Sequence, residues 1–147
     1  MKNTIKILSL LMVVATSVMI GCKKEGCTDK DSLLYNEKAK KDDGSCKYEG
    51  KAVFWYDQAA STALVNDSAV SLTYYLEGTV IGSTAADVYW TGAPTCGQSG
   101  SVSVTKDLGS EKSKSYSFSV KDQTGFEYWK GTIAITGNTC KAEKLFF

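Results

Sequence analysis

The sequence contains neither histidine nor arginine. Without histidine, the chain cannot form a Ser-His-Asp or Cys-His nucleophile system or a histidine zinc site. Without arginine, it lacks the planar guanidinium that grips a phosphate or a guanine through two hydrogen bonds. The net charge of +1 also gives no overall electrostatic attraction to nucleic acid. These absences exclude histidine-dependent catalysis and argue against a nucleic-acid partner.

The one long apolar run lies near the N-terminus. It covers residues 7–19, follows two lysines and ends shortly before Gly21 and Cys22. A positive n-region followed by an apolar run of this length is typical of an export signal. The Gly21-Cys22 pair resembles the lipobox of bacterial lipoproteins. The resemblance implies cleavage after residue 21 and acyl chains such as palmitate on Cys22; the alternative is an ordinary secretory signal.

Cleavage after residue 21 would leave 147 − 21 = 126 residues, with 15 lysines and 16 acids. No other apolar stretch approaches the roughly 18 residues that a membrane span needs, so we expect the chain to be anchored by lipid. Cys22 is followed by Lys23 and not by the aspartate that favours inner-membrane retention in many such lipoproteins. We therefore predict a lipid-anchored protein of the outer membrane, on its periplasmic or cell-surface side.

Four further cysteines remain, and an even number in an exported chain indicates disulfides. They are Cys27, Cys46, Cys96 and Cys140. Between residues 23 and 51, 15 of 29 residues are Lys, Asp or Glu, but between 52 and 147 only 16 of 96 are. The charged piece has too few apolar side chains for a core and needs its own crosslink. Of the three connectivities we therefore favour Cys27–Cys46, worth roughly 3 kcal/mol, with Cys96–Cys140.

The charged piece carries a recognisable motif. It reads Cys27-Thr28-Asp29, then Tyr35-Asn36, then Asp42-Asp43-Gly44-Ser45-Cys46. This resembles a short module of bacterial cell-surface and secreted proteins with Cys-Thr-Asp, Asn-Tyr-Asn and Asp-Asp-Gly-Ser-Cys. The resemblance implies a disulfide-closed spacer without established chemistry. We predict a signal peptide over 1–21, a lipidated tether and spacer module over 22–50, and a β domain over 51–147.

The aspartates of the module raise the question of calcium. Asp29 and Asp31 have the spacing of an EF-hand start, but Leu33 and Tyr35 occupy the next ligand positions and exclude an EF-hand. A looser calcium site remains as the alternative to a simple turn, in which Asx side chains bond nearby backbone. Its ligands would be Asp29, Asp31, Asp42 and Asp43. We favour the turn and predict no metal and no cofactor.

From residue 52 onward, apolar and polar residues alternate. Tyr116, Phe118 and Val120 alternate with serines, for example, and Gly, Asn and Asp clusters separate such runs. No helical stripe of useful length is evident. We predict an all-β fold, an antiparallel Greek-key sandwich of about seven strands, transthyretin-like or Ig-like.

Two resemblances bear on this domain. Residues 116–147 are similar to the end of transthyretin-like sandwiches. The whole piece resembles a small domain of uncharacterised exported proteins, a family without assigned activity. The shared features are Phe54-Trp55, Pro94-Thr95-Cys96-Gly97, Trp129-Lys130-Gly131-Thr132-Ile133, Cys140 and Leu145.

Catalytic motifs are lacking. The sequence has no Gly-x-Ser-x-Gly and no Gly-rich phosphate loop, although a Ser-Lys dyad is compatible with the composition. The acids that a glycosidase pair would need are better explained as solvated charges at strand ends. They are Asp57, Glu77, Asp87 and Glu127. We predict that the protein is not an enzyme.

The aromatic residues have two possible roles, of which we favour structural packing in cross-strand pairs over a binding face. Because neighbours on a strand alternate between faces, the members of consecutive runs cannot all face inward; such runs are Tyr74-Tyr75, Tyr89-Trp90 and Phe54-Trp55-Tyr56. Two hypotheses follow: a spacer plus adhesion or interaction domain that contacts a protein or glycan, or a lipoprotein that binds carbohydrate or a small ligand through exposed aromatics. Scattered exposed rings would favour the first, and a clustered patch containing tryptophans such as Trp55, Trp90 or Trp129 would favour the second.

Overall fold

The structure, a computed structural model, describes residues 23–147. The predicted signal peptide and the lipidation site Cys22 lie outside the described residues. The described chain contains seven strands and one helix. They are β1 (Tyr48–Trp55), α1 (Gln58–Asn66), β2 (Ser71–Leu76), β3 (Thr79–Ala85), β4 (Val102–Gly109), β5 (Ser113–Asp122), β6 (Glu127–Thr136) and β7 (Cys140–Lys144). The described part contains no helix with the length and hydrophobicity that crossing a bilayer requires.

The strands form two sheets, as the sequence predicts for a mainly β chain. One sheet has the order β4-β1-β7 and the other β3-β2-β5-β6. All neighbours in the described sheets are antiparallel except β1 and β7, which run parallel with Lys51 beside Cys140. This pair corrects the prediction of a wholly antiparallel sandwich. No hairpin joins the first and last strands, so no turn dictates their relative direction.

The core lies between the two sheets. The Phe54 ring of β1 lies 6.1 Å from the Tyr74 ring of β2 and 5.1 Å from the Phe118 ring of β5, centroid to centroid. Inward residues of β2 and β5 are buried and alternate with more accessible ones, which confirms the predicted period of two. Each large apolar side chain buried in this way contributes about 1.5–3 kcal/mol.

Helix α1 was not predicted from the sequence. Asp57 caps its N-terminus, since its Oδ1 accepts a hydrogen bond from the Ala60 amide at 3.2 Å. The helix has nine residues and buries Ala60, Ser61 and Leu64. So short a helix presents only one small apolar face, which is why no stripe was visible in the sequence.

The predicted spacer module is continuous with the sandwich. The structure joins Cys27 to Cys46 and Cys96 to Cys140, the local pairing favoured from the charge composition. The buried Cys27 and Cys46 belong to the same apolar cluster as the sheet residues. Strand β1 begins at Tyr48 and so crosses the boundary predicted between residues 50 and 51. The contacts that fix Tyr48 were not visible in the charge pattern.

Candidate functional site: an exposed aromatic groove

Aromatic side chains gather where β6 begins and where the chain leaves β7. Phe126, Phe146 and Phe147 are 58%, 71% and 63% exposed, which is unusual for rings of this size. They border a shallow groove of about 330 Å³. We call it the aromatic groove, and its lining residues are Asp67, Phe126, Glu127, Tyr128, Trp129, Phe146 and Phe147.

A β-bulge in β6 brings two consecutive aromatics to the groove. Val120 of β5 pairs with Trp129, but the next residue, Lys121, pairs with Glu127, so Tyr128 is an extra residue in the ladder. On a regular strand Tyr128 and Trp129 would point to opposite faces. The bulge re-aims one of them, and the two rings lie 5.9 Å apart. The site therefore depends on an irregularity of the strand.

The Tyr128 ring is the centre of the cluster. Its centroid lies 5.0 Å from that of Phe126 and 5.8 Å from that of Phe147. Phe126 meets it at 75°, and Trp129 meets Phe147 at 84°. The buried Tyr56 ring stacks on Trp129 at 5.9 Å and 24°, which connects the cluster to the core. Because several rings meet steeply, they form walls around a space and not one flat platform.

Two hydrogen bonds fix these rings. The Tyr128 hydroxyl donates to Asp67 Oδ2 at 2.8 Å, and Trp129 Nε1 donates to the Phe146 carbonyl oxygen at 2.7 Å. Burial, with the hydrogen bond to Asp67, raises the pKa of Tyr128 to about 12. The Tyr128 hydroxyl therefore stays protonated near neutral pH and continues to donate its hydrogen bond to Asp67. The bonds hold the groove in one shape before any ligand arrives, which lowers the entropic cost of binding.

A lysine already lies against the outer side of the cluster. Lys144 Nζ is 4.8 Å from the Phe146 ring centroid and 5.2 Å from that of Trp55. It also lies 2.7 Å from Asp57 Oδ2, and this contact lowers the pKa of the Asp57 carboxyl. The ammonium thus binds both a carboxylate and two ring faces, and it fixes the chain as it leaves β7.

No protein-family model, curated protein or solved structure matches this chain. The interpretation of the groove therefore rests on its own residues.

The aromatics highlighted by the sequence are distributed unevenly. Phe54, Tyr56 and Tyr74 are buried, whereas Trp55, Tyr75 and Trp90 are half-buried. Trp129 is the tryptophan that lines the groove. Sequence reasoning missed the rest of the cluster, although the dense aromatic run at residues 126–129 and the pair at 146–147 were available as signals.

The candidate calcium ligands are engaged within the protein. Lys112 Nζ lies 2.8 Å from Asp29 Oδ2 and 2.8 Å from Asp31 Oδ2, and the Tyr48 hydroxyl donates to Asp29 at 3.0 Å. Asp42 and Asp43 each accept a backbone amide two residues ahead, as the turn interpretation expects. Within residues 23–147, no three His, Cys, Asp or Glu side chains are grouped to hold a metal ion.

Three of the four acids considered for a glycosidase pair have separate local partners. Asp57 caps α1 and binds Lys144. Glu77 accepts a hydrogen bond from the Ser117 amide, which lowers the pKa of its carboxyl. Glu127 lines the aromatic groove, 3.4 Å from Lys130 Nζ. These contacts are those of structural charges that are partly exposed to solvent.

Proposed function

We propose that the protein is a non-catalytic lipoprotein that is anchored to the outer membrane through Cys22 and binds a ligand in the aromatic groove. The module over residues 22–50 holds the sandwich away from the lipid surface. The sandwich, in this proposal of the Greek-key type with transthyretin-like or Ig-like connectivity, presents the groove to a small ligand, a glycan or a protein partner.

The observation that carries the proposal is the clustering of exposed rings. Full burial of a large apolar side chain is worth about 1.5–3 kcal/mol, and the partly exposed Phe126, Phe146 and Phe147 together forgo much of that gain. A clustered patch is the arrangement that favours ligand binding over a purely structural spacer. The groove is open, so its contacts with any one ligand are limited, and many copies on one membrane would add avidity.

Intrinsic tryptophan fluorescence tests the proposal, because Trp129 lines the groove. Residues 23–147 would be titrated with a glycan panel and a panel of small organic ligands. We expect saturable binding that is weakened about tenfold or more by Phe126→Ala or Phe147→Ala, in line with the loss of an aromatic anchor.

Tyr89→Ala is the matched control for these variants. Tyr89 is 40% exposed but does not line the groove, so its variant should bind like the parent. Equal loss in this control and in Phe126→Ala would remove the groove as the site. A broad hydrolase screen runs beside the titrations, and reproducible turnover lost on changing one Ser, Lys or acid would contradict the non-catalytic assignment.

A further inference from the structure

We propose that the aromatic groove selects a small alkylated ammonium ion, preferably a quaternary one. This inference rests on the proposed function, because it names the ligand class of the same site. Three features of the groove support it: the charge of its lining, the arrangement of its rings and the small number of free hydrogen-bond donors.

The lining carries negative charge only. Asp67 and Glu127 line the aromatic groove, and a second groove of about 460 Å³ that shares Phe126 and Tyr128 with it adds Asp122. Among the described residues that line either groove there is no lysine. Residues 23–147 carry 15 lysines and 16 acids, so an aromatic groove whose lining contains carboxylates and no lysine is complementary to a cation.

Lys130 reduces this charge only weakly. Its ammonium lies 3.4 Å from Glu127 Oε1, but its side chain is 79% exposed. Solvent-exposed pairs of this kind contribute little and exchange readily with water and salt. A ligand cation held on the ring faces can therefore still gain from the Glu127 carboxylate.

The rings can offer their negative faces to a cation from more than one direction. Phe126 and Tyr128 meet at 75°, and Trp129 and Phe147 meet at 84°. Steep angles let a compact cation contact several faces, whereas a flat sugar ring stacks best on a single exposed plane. Lys144 lies over the lining ring Phe146 and over Trp55, so aromatic faces at this site already hold an ammonium of the protein itself. Its charge is paired with Asp57, 2.7 Å away.

The two side-chain hydrogen-bond donors of the groove lining are already used. The Tyr128 hydroxyl donates its hydrogen bond to Asp67, and Trp129 Nε1 donates to the Phe146 carbonyl oxygen. A glycan needs donors as well as acceptors for its hydroxyls, and these two side chains no longer supply donors. A quaternary ammonium needs neither, and because it is weakly hydrated it loses little on leaving water.

The decisive comparison uses choline and its uncharged carbon analogue 3,3-dimethylbutan-1-ol, which have nearly the same shape. Both would be titrated into residues 23–147 with Trp fluorescence as the readout. We expect choline and tetramethylammonium to bind saturably and the neutral analogue to bind about tenfold more weakly, as expected for a partly desolvated cation–π site. Phosphocholine, which represents a lipid headgroup, should bind more weakly than choline because the carboxylates repel its phosphate.

Variants separate charge from packing. Asp67→Asn retains an acceptor for the Tyr128 hydroxyl. Together with Glu127→Gln, it should weaken the binding of choline severalfold and leave the affinity for the neutral analogue unchanged. Glu111→Gln is the control, since Glu111 is exposed and lines neither groove. The melting temperature of each variant would be measured to show that it is folded.

Each outcome bears on a different claim. Equal binding of choline and the neutral analogue, or glycan binding without cation binding, would overturn the ammonium proposal and leave the aromatic groove as a ligand site. Tighter binding of phosphocholine would keep the ammonium class and assign the lipid headgroup as its source. Failure of all ligands in both panels would overturn the ammonium proposal and would restrict the proposed function to binding of a protein partner.

Discussion

Removing three residues at the start of β1 is a demanding test of where the folded domain begins. A fragment of residues 48–147 keeps Tyr48, whereas a fragment of 51–147 loses it together with Glu49 and Gly50. The Tyr48 side chain is 6% exposed, and it packs so closely on Gly137 that a Cβ there would lie 2.7 Å from its ring. Glu49 and Gly50 also pair with β4.

The expected loss follows from these contacts. Deleting a buried aromatic side chain costs about 3–5 kcal/mol. For a domain of about 100 residues, a loss of about 3 kcal/mol lowers Tm by roughly 12 °C or more. We therefore expect residues 48–147 to unfold cooperatively and residues 51–147 to melt at a much lower temperature or not to fold.

Thermal unfolding followed by circular dichroism, with Cys96–Cys140 intact in both fragments, measures this difference. Tyr48→Ala in the longer fragment is the matched control that isolates the ring from the backbone, and it should account for most of the loss. Equal Tm values for the two fragments would refute the contribution of Tyr48 to the core of the domain and would support the predicted boundary between residues 50 and 51.

Three further predictions concern the crosslinks, the charges and the anchor. Replacing both Cys96 and Cys140 with serine should cost roughly 4 kcal/mol in urea unfolding, because the bond closes a long loop; a loss under about 1 kcal/mol would contradict this. Hydrogen bonds from Lys112 and from the Asp31 backbone amide lower the pKa of Asp29 to about 2 from its usual 3.8, and hydrogen bonds to Asp29 and Asp31 raise the pKa of Lys112. The stabilisation of the folded state by these ion pairs should therefore be present above about pH 4, be lost as the pH falls toward 2, and be lost again when Lys112 deprotonates at high pH. Melting curves measured against pH should show that the Tm of Lys112→Met falls less in acid than the Tm of the parent. Cys22→Ser should abolish lipid labelling and detergent-phase partitioning in a host with lipoprotein processing, and unchanged partitioning would end the lipoprotein assignment.

The strand pattern was the most predictable part of the fold. Residues such as Phe118 and Val120 alternate with serines because one face of their sheet is buried. This period of two can be recognised directly in the sequence. Helix α1 escaped prediction because nine residues with one buried face leave no long periodic signal. The parallel pairing of β1 and β7 depends on tertiary packing, which no local turn encodes.

The aromatic groove was only half predictable. Alternation on strands requires some rings to lie outside the core, and that argument indicated exposed aromatics without locating them. The location depends on the bulge at Tyr128 and on the segment after β7 that brings Phe146 and Phe147 alongside β6. Both are irregularities of the backbone, so they cannot be predicted from composition or periodicity.

Binding in the aromatic groove is the central claim, and the indole N–H signals of the three tryptophans in a proton–nitrogen NMR spectrum test it most directly. Trp129 lines the groove and donates its N–H to Phe146, whereas Trp90 lies outside the groove lining. Titration with choline and with the glycan panel should move the Trp129 signal saturably and leave that of Trp90 in place. A Trp129 signal that stays fixed in every titration, or that moves no more than Trp90, would contradict the account.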